Sequence, residues 1–166
     1  RIHIQSGNIR NPASEDDAWI IDETVGHIHQ TAMDIVREKH EWREYSTMLD
    51  DEEYMKSHDQ LRDKYFLPVR PIDTYLEALK SAGFQIDKQL VNTIPANVEE
   101  WFSFISVYHE GVLGWIGGAE RITGEEASED TIEDRKELIR ISMNRIFDGN
   151  DSFKTSWTYI EGLKPN

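Results

Sequence analysis

Cysteine is absent from this chain of 166 residues, which excludes disulfide scaffolds, zinc fingers, iron–sulfur centres and thiol catalysis. Basic charge is scarce. Lys and Arg number 18 against 32 Asp and Glu, a net charge of −14. Such a chain repels a phosphate backbone on average, so no nucleic acid is expected as a partner. Long apolar runs are also missing. The least charged stretch, 101–119, carries His109 and Glu110 in its middle and glycines at 111, 114, 117 and 118. A spanning helix wants about 20 mostly apolar residues, so no membrane partner is expected either. No basic segment followed by an apolar core opens the chain, and the expected location is the cytoplasm. Arg1 to Gln5 already alternates like a strand, and the start reads as a cut made inside a longer protein.

What is present is the material of a core. The chain is 38% hydrophobic, with 5 Trp, 6 Tyr and 6 Phe, the composition of a globular domain rather than a disordered chain. One domain over 1–166 is expected, and a domain of about 150 residues can bury roughly two-thirds of its unfolded surface without staples.

Periodicity divides the chain. Ile2 and Ile4 alternate with His3 and Gln5 as a short half-buried strand. Ser6-Gly-Asn8 ends it, and Asn11-Pro12 opens a loop. Ile21, Val25, Ile28, Ala32, Ile35 and Val36 then fall at helical spacing, predicting a helix over 18–39. Residues 40–66 read as helical pieces, with Asp50 to Glu53 as a solvated helix start. Ile72, Tyr75, Leu76, Leu79 and Ala82 predict a further helix closed by Gly83. Phe84 to Ile94 reads as a strand stopped by Pro95.

Asn97-Val-Glu-Glu100 resembles a capping box opening a helix with Val98, Trp101, Phe102, Ile105 and Tyr108. The glycines after it predict a loop or a closely packed short helix. Thr131 to Asp134 is read as the cap of a last helix, and Phe153, Thr155, Trp157 and Tyr159 alternate in a final strand. Residues 97–150 therefore form a helical insertion before the last strand.

This order of elements resembles the close of a class I S-adenosylmethionine-dependent methyltransferase. The resemblance is carried by Leu76-Glu-Ala-Leu-Lys-Ser-Ala-Gly83-Phe84 followed by a strand, an excursion, and the aromatic strand Phe153 to Ile160. It implies an α/β fold, a three-stranded mixed sheet with several helices like the C-terminal half of a Rossmann-like methyltransferase. The last strand would lie between the first and the middle ones and antiparallel to both. It also implies a small-molecule methyl acceptor, with S-adenosylmethionine as cofactor of the parent protein. The Gly-rich cofactor turn of that family is absent from this chain, so S-adenosylmethionine is not expected to bind it alone. Gly111, Gly114, Gly117 and Gly118 follow a helix rather than a strand, which favours close packing over a nucleotide cradle.

Each candidate for chemistry has a plain structural alternative. His27 and His29 sit two apart on a helix and point apart, so they share no metal. Glu23 and His27, at i and i+4, read as a solvated pair, and His58-Asp59 as surface. His109 closes an aromatic run and is the candidate catalytic base, or else a histidine favoured by a helix C-terminus. Trp101, Tyr108 and Trp115 would line an acceptor site, or belong to a core or an interface. Asn8 and Arg10, past the end of the first strand, would touch the acceptor, or serve only the turn.

Two functions follow. The favoured one is the acceptor-side part of a small-molecule methyltransferase, inactive alone. The other is a non-enzymatic α+β interaction module. A homo-oligomer is expected, because in the parent fold the first strand would lie against a neighbour absent here and leave an open edge, while the interaction module would dimerise or bind another subunit.

Overall fold

The computed structural model describes residues 2–6, 18–21, 23–65 and 70–163, the segments 2–6 and 18–21 by backbone alone. In chain order the elements are β1 (Ile2–Ser6), β2 (Ala18–Ile21), α1 (Glu23–Glu38), a 3-10 turn (His40–Trp42), α2 (Arg43–Leu49), α3 (Glu52–Tyr65), α4 (Ile72–Ser81), β3 (Gln85–Asn97), α5 (Val98–Val107), α6 (His109–Leu113), α7 (Glu120–Thr123), α8 (Glu129–Phe147) and β4 (Ser152–Leu163). They form two compact units: 1–23, 67–95 and 154–166 in one, 24–66 and 96–153 in the other.

The first unit is a four-stranded sheet in the order β2-β1-β4-β3. β1 runs parallel to β2, with His3 opposite Ala18 and Ser6 opposite Ile21, and antiparallel to β4, with Ile2 opposite Gly162 and Ser6 opposite Thr158. Thr93 Oγ1 meets Ser156 Oγ at 3.0 Å, while Gly162 lies beside Phe84 and Gln85, so β3 and β4 are antiparallel. The last strand thus lies between the first and the middle ones, as expected. α4 packs Leu79 against Ile160, flanked by Ile72, Tyr75, Leu76, Phe84 and Ile86. Its C-terminus closes on Gly83, whose positive φ of 85° no branched side chain adopts comfortably.

This sheet corrects the fold expected from the sequence. It has four strands, not three, and the described residues are mostly helical. The resemblance to the C-terminal half of a Rossmann-like methyltransferase does not hold at the level of fold, because β1 finds a parallel neighbour within this chain. The fourth strand is Ala18–Ile21, which the periodicity placed at the start of a helix. A short apolar run such as Ala18-Trp-Ile-Ile21 has no period that separates strand from helix. Here β1 supplies ladder partners, and the helix begins only at Glu23. The open edge expected along β1 is closed for the same reason. Among the described residues, the edge strands are β2 and β3, and β3 exposes Leu90, Val91 and Ile94. It continues through Pro95 to Asn97, since an edge strand tolerates a residue without N–H.

The second unit is helical. Val25, Ile28, Ala32, Ile35 and Val36 of α1 enter one core with Trp101 and Ile105 of α5, Val112 and Leu113 of α6, and Leu138, Ile139 and Met143 of α8. Caps define the helix starts. Asn97 Oδ1 accepts from the N–H groups of Glu99 and Glu100 at 2.9 and 3.0 Å, and Asp51 Oδ1 from Tyr54 N–H at 2.9 Å. α8 starts earlier than expected: Ser128 Oγ, not Thr131, is the cap, accepting from Thr131 N–H at 3.2 Å. No helix among the described residues is long and apolar enough to cross a membrane.

Candidate functional site

The glycine-rich segment 111–118 leads from α6 towards α7 in the helical unit, and nearly all of it is buried. Buried backbone needs partners, and two long side chains supply them. Tyr54 donates its hydroxyl to the carbonyls of Trp115 and Gly114 at 3.1 and 3.4 Å. Arg135, only 1% exposed, donates Nε and Nη2 to Ile116 O at 3.0 and 2.8 Å and Nη2 to Gly118 O at 2.6 Å. The glycines permit this fold-back. A Cβ on Gly114 would stand 2.3 Å from Glu110 O, and Gly117 holds a φ of +67° with Thr131 against it.

The remaining arm of Arg135 reaches a pocket. Nη1 lies 3.4 Å from His109 Nδ1, and both residues line a cavity of about 320 Å³ with Tyr108, Glu110, Glu126 and Ile132. A guanidinium only donates, so Nδ1 is the acceptor and Nε2 carries the ring proton. Burial, then the charges of Arg135 and Lys136, hold His109 below its ordinary pKa, which keeps it neutral at pH 7. Burial also lowers the Arg135 pKa, and the nearby Glu110 opposes that shift. His109 therefore offers an N–H donor and no free lone pair at Nδ1.

The structure brings Tyr108 and His109 together at this cavity. It places Trp101 and Trp115, 4% and 0% exposed, in the helical core and not in the cavity wall. Trp101 meets Phe104 at 5.9 Å and the edge of Phe153 at 5.8 Å between ring centres. Asn8 and Arg10 lie outside the described residues, as does the side chain of Glu23, so its pairing with His27 does too. Sequence reasoning missed Arg135, whose spacing to Leu138 and Ile139 puts it on the buried face of α8. It also read His58 as surface, whereas His58 is fully buried and stacks on His29 with ring centres 5.6 Å apart. A second hollow, of about 260 Å³, lies on the sheet unit between Leu90 and Asn92 of β3 and Tyr159 and Glu161 of β4.

The glycine segment does not fit a nucleotide cradle for S-adenosylmethionine: its Gly114, Trp115, Ile116 and Gly118 carbonyls are turned to Tyr54 and Arg135, and the space beside Gly114 is filled. Compared with family models, curated proteins and solved structures, the chain matches none.

Proposed function

We propose that this chain is the acceptor-side part of a small-molecule methyltransferase of the cytoplasm, and that the Tyr108–His109–Arg135 cavity holds the methyl acceptor. The observation that carries this reading is a buried arginine holding a neutral histidine at the wall of a cavity large enough for a small molecule. His109 acts there by donating Nε2–H to an acceptor oxygen or nitrogen, a positioning role rather than that of the base expected from sequence. Glu110, Glu120 and Glu126 line the same cavity, which favours neutral acceptors, phenols or uncharged amines with a lone pair for the His109 N–H, over anionic ones. The cofactor is left to other parts of the enzyme. Saturation-transfer NMR with a panel of phenols, amines and carboxylates tests this reading. Phenols or amines are expected to bind the chain and to lose that signal in His109→Ala. Carboxylates binding best, or a signal unchanged in His109→Ala, would overturn it.

A second reading, the interaction module, is favoured by β3, where Leu90, Val91 and Ile94 are 42%, 57% and 44% exposed. Its only charges are Asp87 and Lys88, a locally neutral strand on a strongly acidic chain. The occupant of that edge would be a second copy, added strand to strand.

A further inference from the structure

α1 and α3 bring three metal-ligating side chains together inside the helical unit. His29, His58 and Asp59 offer one ligand atom each, all within 4.8 Å of one another, and both histidines are buried. The two rings lie nearly parallel, 6° between planes. His29 Nδ1 is 3.0 Å from the Val112 carbonyl of α6. A carbonyl only accepts, so Nδ1 carries a proton and burial keeps the ring neutral. Nε2 is then a bare lone pair, and it faces Asp59 Oδ1 at 3.7 Å. Two acceptors face each other across a gap that a cation would fill.

His58 adds an independent sign. It is 0% exposed, and the Glu110 backbone, too poorly placed for full hydrogen-bond geometry, can take at most one of its two ring nitrogens. Buried polar atoms are rarely left so. Asp59 is meanwhile held by Arg62 Nη1 at 3.2 Å. A histidine whose second nitrogen donates to a backbone carbonyl, and a carboxylate steadied by its own partner, is how metal ligands are oriented from outside the first shell.

We propose that His29, His58 and Asp59 form a binding site for a divalent transition metal, zinc being the ion suited to imidazole and carboxylate without thiolate. Metal–nitrogen bonds of about 2.0–2.1 Å set tetrahedral ligands roughly 3.4 Å apart, so a pair as wide as 4.8 Å has to close by about 1.4 Å. Asp59, 49% exposed, has the freedom to move. The site ties α1 to α3 and, through Val112, to α6. It stands on its own, apart from the acceptor reading.

Calorimetric titration of the EDTA-stripped full chain with zinc chloride tests it. One zinc per chain is expected. His29→Ala and His58→Gln are expected to abolish binding, and the half-exposed Asp59→Asn, which leaves the core intact, to weaken it at least about tenfold. The exposed His27→Ala is the control and should bind as the parent does. Circular dichroism verifies that each variant is folded, and Asp59→Asn alone decides should the histidine variants unfold. No zinc uptake by the parent chain, or unchanged uptake by Asp59→Asn, would overturn the site, the second outcome assigning zinc to scattered surface carboxylates.

Discussion

Arg135 holds the glycine segment of the helical unit by its backbone carbonyls. Its guanidinium is buried and engages Ile116 O, Gly118 O and His109 at once. Arg135→Met leaves those carbonyls unpaired, an expected loss of about 2–4 kcal/mol in urea unfolding. In the same variant the His109 pKa, followed by NMR, should rise towards its ordinary value, because a positive neighbour has gone. His58 sets a pH dependence of opposite visibility. Burial, then His29 and Arg62, push its pKa down to about 3, so the unfolded chain binds its proton first as pH falls. Stability is therefore full above pH 6.5 and lost as pH falls towards 3, by up to roughly 4–5 kcal/mol at 1.36 kcal/mol per unit. Thermal melts in EDTA should show His58→Leu flattening that loss, while leaving the carboxylate titration below it in place.

At the scale of elements, caps and turns decide where helices begin. Asn97→Ala removes the acceptor of two backbone N–H groups at the start of α5, and a loss of about 1 kcal/mol is expected by chemical denaturation. Gly117→Ala should cost more, about 1–3 kcal/mol, since its φ is +67° and the new Cβ would lie 2.4 Å from Thr131 Cγ2. Adding Thr131→Ser should recover the steric part of that loss and leave the backbone part. The Asn97 cap, the Gly83 terminus and the apolar stripe of α1 were all legible in the sequence, because each is a local rule acting within one turn. Ala18–Ile21 was not, since only its pairing with β1 distinguishes strand from helix there. His29 was half legible. It lies on the stripe of Val25, Ile28 and Ala32, which marks it as buried, but nothing local says that His58 of another helix stacks on it. The cavity was legible in Tyr108 and His109 and hidden in Arg135, whose partners are backbone carbonyls some 17–19 residues away.

At the scale of the whole molecule, the proposed acceptor site lies in the helical unit and the proposed self-association edge in the sheet. A net charge of −14 opposes association, so salt should strengthen any dimer by screening. Val91→Lys, on the exposed β3 edge, should weaken that dimer in sedimentation equilibrium without changing thermal stability by more than about 0.5 kcal/mol. Calorimetry with S-adenosylmethionine should give no heat up to millimolar ligand, as the glycine segment is packed against Tyr54, Arg135 and Thr131. The central claim is that the Tyr108–His109–Arg135 cavity takes the acceptor. Chemical-shift mapping of the 15N-labelled chain with the best-binding phenol or amine tests it most directly. The account expects the perturbed amides to cluster at 107–111 and 126–135; perturbations confined to 88–92 and 159–161, the hollow on the sheet, would contradict it.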